Sequence, residues 1–170
     1  MAETRHTTSY YAASANPAPE RPALQGSHET DVCIVGAGFT GISAALHLAE
    51  QGFKVTVLEA VKVGFGASGR NGGQIVNSYS RDIDVIERTL GAQQARLLGD
   101  MAFEGGRIIR ERVAQYNIQC DLKDGGVFAA FNSKHMKHLE AQKQLWERYG
   151  HTQLEMLDSK RIREVVNADI

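Results

Sequence analysis

The glycine-rich segment GAGFTG, residues 36–41, constrains the fold of this chain more than any other feature. It follows a short, nearly all-apolar run, DVCIV at residues 31–35, which is typical of a strand buried on both faces of a parallel sheet. Residues 41–51 then carry apolar side chains at helical spacing, and residues 54–58 are rich in β-branched side chains. Strand, helix and strand in this order predict a βαβ unit whose two strands are parallel neighbours.

The three glycines of this segment have the GxGxxG spacing of dinucleotide-binding sites, and their position between a strand and a helix makes the motif specific. Gly36 would permit the tight turn, Gly38 would let the backbone approach a pyrophosphate, and Gly41 would let the helix pack closely on the strand. The N-terminus of the helix would offer N–H groups and a partial positive charge to the phosphates. The segment therefore predicts a Rossmann-type nucleotide site.

Glu59 ends the second predicted strand, where Rossmann-type domains place a carboxylate that accepts hydrogen bonds from the adenosine ribose. A carboxylate at this point would repel a 2′-phosphate, which argues against NADP. The alternative is an ordinary surface glutamate after a glycine-rich turn. Together with the motif glycines, Glu59 favours a dinucleotide cofactor.

A second glycine-rich segment, GFGASGRNGGQ at residues 64–74, favours FAD over NAD. NAD enzymes do not need such a loop, whereas its backbone N–H groups could accompany the ribityl chain and isoalloxazine ring of FAD. Ser68 and Arg70 are candidates for phosphate contacts, and Asn71 and Gln74 for ribityl or ring contacts. The alternative is a flexible loop in which Asn71 and Gly72 form an ordinary turn. The predicted cofactor-binding residues are Gly36, Gly38, Phe39, Thr40, Gly41, Glu59, Ala60, Gly66, Ala67, Ser68, Arg70, Asn71, Gly72, Gly73 and Gln74.

The segments on either side of the βαβ unit differ in character. Residues 1–29 hold all three prolines and predict an extended arm, either disordered in isolation or packed on the protein through Tyr10 and Tyr11. Residues 30–80 form the predicted nucleotide-binding part, and residues 81–170 the incomplete start of a substrate domain. In that third part the patterns predict helices at 82–90, 92–116 and 134–149, a last helix reaching position 166, and strands at 127–131 and 154–157.

Charge and composition argue against several other classes of protein. The formal net charge is −1 and no block of like charges occurs, so neither nucleic acid nor an anionic membrane is an expected partner. No apolar stretch approaches the roughly 20 residues of a membrane helix. The two cysteines lack the spacing of a disulfide framework or a metal site, and Cys33 is interpreted as a small buried hydrophobic residue. We expect a cytoplasmic protein with a small-molecule partner and no metal.

Residues 31–60 and the segment GFGASGRNGGQIVNSYSRDID that begins at Gly64 resemble the FAD-dependent oxidoreductases of the D-amino-acid and glycine oxidase type. The resemblance implies an α/β fold: a Rossmann-type FAD-binding domain that begins with a parallel βαβ unit and leads into an α+β substrate domain. It also implies the oxidation of a small-molecule amine, with FAD as hydride acceptor and dioxygen as oxidant. The glycine motif is shared widely, whereas GASGRNGGQ and the N-terminal arm are more specific.

Members of this family are much longer than 170 residues, so we expect an N-terminal part of an enzyme. The catalytic residues are unknown and are expected beyond Ile170, and the oligomeric state cannot be derived from the sequence. We expect residues 1–170 alone to bind FAD poorly and to lack amine oxidase activity. Two alternatives stay open: a related oxidase or dehydrogenase acting on glycine, sarcosine or a D-amino acid, and a non-catalytic nucleotide-binding or interaction module.

Overall fold

The computed structural model describes residues 8–76 and 79–166. Two compact units divide the chain, residues 1–74 and residues 75–170. The first unit holds a parallel sheet with one helix packed on it, and helices are the regular structure found in the described residues of the second. The candidate nucleotide site lies in the first unit.

The first unit contains the predicted βαβ arrangement. Strand β1 spans Val32–Val35, helix α2 spans Phe39–Glu50 and strand β2 spans Val55–Leu58. The strands pair in parallel, with Val32 opposite Val55 and Val35 opposite Leu58. The helix begins two residues earlier than its apolar pattern indicates, because Phe39 and Thr40 already adopt helical geometry after the glycine turn. The βαβ prediction is confirmed.

The prediction that β1 is buried on both faces is wrong. Its residues alternate between half-buried and exposed; Cys33 is exposed, and 85% of Val35 is accessible to solvent. Helix α2 packs against both strands, and the described residues of the first unit contain no third strand. A strand is enclosed on both sides only when elements pack on each face. The interpretation of Cys33 as a buried hydrophobic residue fails for the same reason.

The N-terminal arm is only partly extended. Residues 10–14 form a short helix, α1, spanning Tyr10–Ser14, whose N-cap is Ser9; its Oγ accepts a hydrogen bond from the N–H of Ala12 at 3.2 Å. Residues 15–29 carry no regular structure and are exposed, as the prolines predict. Residues 1–7 of the predicted arm lie outside the described residues.

Four helices lie in the part of the second unit that the structure describes. Helix α3 spans Ile83–Leu90, α4 spans Ala92–Gln115, α5 spans Ser133–Arg148 and α6 spans Arg161–Val165. These helices confirm the predicted positions to within a few residues. None of the helices in the described ranges has the length and hydrophobicity required to cross a bilayer.

A small apolar cluster joins α3, α4 and the end of α5. Its buried members are Ile83, Ala95, Leu145 and Tyr149. The Tyr149 hydroxyl also donates a hydrogen bond to the Glu87 carboxylate. The pKa of the Tyr149 phenol is raised mainly by burial and, to a lesser extent, by this hydrogen bond. The cluster therefore combines apolar packing with one polar tie between α3 and the C-terminal end of α5.

The strands predicted at residues 127–131 and 154–157 are wrong, since both segments lack regular structure. A strand needs a neighbouring strand to satisfy its backbone N–H and C=O groups, and the described residues of the second unit contain none. Phe128 and Phe131 are accordingly 78% and 83% exposed. The predicted α+β character of this part is therefore not seen in the described residues.

Candidate functional site

The first motif glycine, Gly36, makes the turn that leaves β1. Its φ of +99° lies in the region that side chains disfavour, and its N–H donates to the Leu58 carbonyl at 2.7 Å. The turn is thereby hydrogen-bonded to the end of β2. This agrees with the role the sequence predicts for Gly36.

The third motif glycine, Gly41, permits close contact between α2 and the turn. A Cβ atom at this position would lie 2.0 Å from the Gly36 carbonyl oxygen and 3.3 Å from Cγ2 of Ile34. No side chain larger than hydrogen fits there unless the backbone moves. The close approach of helix and strand is what the motif predicts for this glycine.

Glu59 lies beside the same turn, immediately after β2. Its Oε2 accepts a hydrogen bond from the Ala37 N–H at 2.8 Å, and its Oε1 accepts one from the Val61 N–H at 3.1 Å. The Ala37 bond, and to a lesser extent the Val61 bond, lower the pKa of Glu59, so the exposed carboxylate is ionised. Each carboxylate oxygen has a second lone pair, so both can still accept from sugar hydroxyls. Glu59 thus orders the glycine turn, and its predicted role as a ribose acceptor stays a prediction.

The second motif glycine, Gly38, lies beside Ser68 of the second glycine-rich segment. The Ser68 Oγ accepts a hydrogen bond from the Phe39 N–H at 2.9 Å, and a Cβ at Gly38 would lie 2.9 Å from that oxygen. The two glycine-rich segments therefore meet at the N-terminus of α2. The sequence predicts space for a ligand at Gly38; the structure adds a close protein neighbour, which sequence reasoning did not find.

The second segment, which we call the flavin loop (residues 64–74), is held by its own side chains. A 3-10 turn spans Ala67–Gly69. The Asn71 Nδ2 donates to the Ala67 carbonyl at 3.1 Å and to the Ser68 carbonyl at 2.9 Å, while its Oδ1 accepts from the Gly73 N–H at 2.8 Å. The predicted ribityl contact of Asn71 stays a prediction, because here its amide group orders the loop.

Arg70 extends back over the start of the flavin loop. Its Nε donates to the Phe65 carbonyl at 3.0 Å, and its guanidinium carbon lies 4.9 Å from the centre of the Phe65 ring. This cation–π contact holds the positive charge at the loop. The terminal nitrogens of Arg70 can still donate to a phosphate.

For other predicted residues the structure shows mainly exposure to solvent. Thr40, Ala60, Gly66 and Gln74 are all exposed. A Cβ at Gly66 would meet nothing within 4 Å, whereas one at Gly72 would lie 2.9 Å from Oε1 of Gln74. Their roles in cofactor binding remain predictions. The sequence did not single out Phe65, although an aromatic residue five positions before an arginine in a loop is a possible signal for such stacking.

The arrangement is suitable for the pyrophosphate of a dinucleotide. The N–H groups of Thr40 and Gly41, in the first turn of α2, have no protein acceptor among the described residues. The positive end of the helix dipole coincides with them, and the Glu59 carboxylate is bound to the same turn through the Ala37 N–H. Within the described ranges, no group of three or more histidine, cysteine or acidic side chains is suited to bind a metal ion. The two amides, the helix dipole and the Glu59 carboxylate together match the hydrogen-bond donors and the acceptor that an adenosine diphosphate moiety needs.

Comparison with known proteins identifies the class to which this site belongs. Residues 31–169 match the family described as FAD dependent oxidoreductase, so the chain belongs to that family. Membership confirms FAD as the predicted cofactor and the assignment to an oxidoreductase.

The chain is similar to individual proteins of this class. It is 61% identical to the gamma-glutamylputrescine oxidoreductase of Escherichia coli (strain K12) over 166 residues, which are 98% of this chain and 39% of that protein. It is 41% identical over its whole length to the probable oxidoreductase OrdL of Haemophilus influenzae, covering 40% of that protein. A protein of the same description from Rhizobium meliloti is 35% identical over 88% of this chain and 35% of its own length. No solved structure matches.

The chain thus spans about two fifths of the length of these relatives. The aligned part includes the cofactor motifs described above.

Proposed function

We propose that the full-length protein oxidises the primary amine of gamma-glutamylputrescine, with FAD as cofactor and dioxygen as oxidant, in putrescine catabolism. The choice of substrate is supported by the 61% identity to gamma-glutamylputrescine oxidoreductase over 98% of this chain. The proposal concerns the whole protein, because the alignment covers 39% of that relative. We place the protein in the cytoplasm, where its two unpaired cysteines would stay reduced.

The proposed reaction balances as an amine oxidation. A hydride and a proton leave the CH₂–NH₂ group, which becomes an imine. Water adds to the imine, and the carbon–nitrogen bond breaks to release ammonia and gamma-glutamyl-aminobutyraldehyde. Dioxygen takes up the two electrons and two protons and leaves as hydrogen peroxide. Bound FAD would supply the hydride acceptor and the site of dioxygen reduction.

One observation in the structure carries the cofactor part of the proposal: both glycine-rich segments meet at the N-terminus of α2. The Ser68 Oγ joins them through the Phe39 N–H at 2.9 Å, and Glu59 fixes the glycine turn through the Ala37 N–H at 2.8 Å. In the proposed complex the turn and the first-turn amides hold the pyrophosphate, Glu59 holds the ribose, and the flavin loop accompanies the rest of the cofactor.

Oxygen consumption by the purified full-length protein tests the substrate. We expect the highest kcat/KM with gamma-glutamylputrescine, with aldehyde, ammonia and peroxide formed in equal amounts. A preference for glycine, sarcosine or a D-amino acid would instead identify a related oxidase. Reduction of an artificial electron acceptor without oxygen uptake would identify a dehydrogenase. Absence of both flavin and turnover would leave only a non-catalytic module.

A pair of serine variants tests the cofactor geometry. Ser68→Ala removes the acceptor of the Phe39 N–H, and the loss of one such bond predicts FAD binding weaker by about fivefold. Ser133→Ala is the matched control, since Ser133 is exposed in the first turn of α5 in the other unit. Equal FAD dissociation constants for both variants would contradict the proposed role of Ser68.

A further inference from the structure

The arm contacts the flavin loop through Tyr11. The Tyr11 Oη–H donates a hydrogen bond to the Gly72 carbonyl at 2.9 Å, across 61 positions of the chain. The edge of the same ring lies 3.9 Å from the place a Cβ would occupy at Gly73. The matched family region begins at residue 31, so Tyr11 lies outside that region and its partner Gly72 lies within it.

The helix that carries Tyr11 is too short to be stable by itself. It has five residues, whereas isolated helices shorter than about 12–15 residues are marginal in water. The Ser9 cap satisfies one N–H of α1, and the Ser14 hydroxyl donates to the Tyr10 carbonyl at 2.9 Å. These local bonds do not offset the unfavourable free energy of forming the first helical turn. The stability of α1 therefore depends on its contact with the loop.

The carbonyl that Tyr11 binds is coupled to the N-terminus of α2 through a continuous series of contacts. Gly73, the residue after Gly72, donates its N–H to the Asn71 Oδ1. The Asn71 Nδ2 donates in turn to the Ser68 carbonyl at 2.9 Å. The Ser68 hydroxyl then accepts the Phe39 N–H. A change at Gly72 therefore reaches the amides proposed to hold the pyrophosphate through side-chain and backbone hydrogen bonds inside one loop.

We propose that Tyr11 is a positioning residue for FAD: it docks the arm on the flavin loop, and docking of the arm and binding of FAD favour each other. The inference rests on the proposed function, in which the flavin loop receives the cofactor. Reciprocity follows from linkage, since a loop ordered by one partner costs less to order for the other. Tyr11 does not need to touch the cofactor for this effect.

Tyr10 supplies a matched control in the adjacent position. The two rings contact edge to face with centroids 5.7 Å apart, but Tyr10 is 76% exposed while Tyr11 is 46% exposed. Within the described part of the chain, the Tyr10 hydroxyl makes no hydrogen bond. Tyr11→Phe and Tyr10→Phe thus remove the same atom from the same short helix and retain the ring contact, and only the first breaks the bond to Gly72.

The test uses the full-length protein, stripped of flavin and titrated with FAD, with hydrogen exchange of the α1 amides followed in both states. We expect Tyr11→Phe to weaken FAD binding about three- to tenfold and Tyr10→Phe to change it less than twofold. In the wild type FAD should slow exchange in α1, and this slowing should disappear in Tyr11→Phe. Equal FAD affinity of the two variants, or exchange in α1 that does not respond to FAD, would overturn the inference. A wild type that takes up no FAD would instead overturn the proposed function.

Discussion

Replacing Gly41 by alanine should disrupt the glycine turn, although alanine favours helices. The added Cβ would lie 2.0 Å from the Gly36 carbonyl oxygen, and real Cβ contacts essentially never fall below 3.0 Å. The Gly36 oxygen and the new Cβ are both held directly by the backbone. The backbone must therefore move by about 1 Å to relieve the overlap. Overpacking of this kind costs about 1–3 kcal/mol, and a backbone overlap belongs at the upper end. The helix propensity of alanine offsets about 0.5–1 kcal/mol.

The net effect is a loss of about 2 kcal/mol, which corresponds to FAD binding weaker by roughly 30-fold if the displaced turn must be restored on binding. FAD titration of the full-length protein measures it. Gly105→Ala is the control: Gly105 lies within α4, and a Cβ there would meet nothing within 4 Å. That variant should bind FAD normally and melt at a slightly higher temperature. If Gly41→Ala binds FAD as tightly as the control, the close approach of α2 to the turn is not what fixes the site.

Three further variants test the electrostatics of the turn and the core of the second unit. The lowered pKa of Glu59 means that the stabilisation its carboxylate gives to the glycine turn is complete above the ordinary carboxyl range and is lost as the pH falls through the lowered pKa, so FAD bound at the turn should be released there. Spectroscopic titration of flavin release should show this acid step in the wild type and lack it in Glu59→Gln. Leu145→Ala should lower the free energy of unfolding by about 2–4 kcal/mol, because Leu145 is 7% exposed within the apolar cluster. Tyr149→Phe, which removes only the hydrogen bond to Glu87, should lower it by about 1 kcal/mol. Chemical denaturation measures both; a larger loss for Tyr149→Phe than for Leu145→Ala would contradict the packing described.

The sequence predicted best the features that depend on neighbouring residues. The βαβ unit follows from three adjacent patterns, and the roles of Gly36 and Gly41 follow from a turn only six residues long. The helices of the second unit were likewise indicated by their own periodicity. In each case the residues that determine the local conformation are close together in the sequence.

Features that depend on distant partners were missed, left open or predicted wrongly; packing of the arm through Tyr11 was one of two alternatives, and its partner was not identified. The Ser68 contact with Phe39 joins residues 29 positions apart, and that of Tyr11 with Gly72 joins residues 61 apart. Neither loop has a periodicity that would reveal such packing. The same dependence explains the error at residues 127–131, where strand propensity is present but the described residues provide no strand to pair with.

Loop chemistry explains why the sequence did not reveal the bonds that Asn71 makes to its own loop, while its ribityl contact stays a prediction. A side chain that can bond a ligand can equally bond the backbone near it, and asparagine does so readily in turns. Here both ends of the Asn71 amide contact the flavin loop, through the Ser68 carbonyl and the Gly73 N–H. Residue type alone cannot decide between these two uses.

The ratio of FAD to polypeptide in the purified full-length wild-type protein, measured from flavin absorbance after removal of free cofactor, tests the central claim most directly. A glycine turn, an ionised Glu59 and an ordered flavin loop that together form an FAD site predict a ratio close to one. A colourless protein that also takes up no FAD when the cofactor is added in excess would contradict the account.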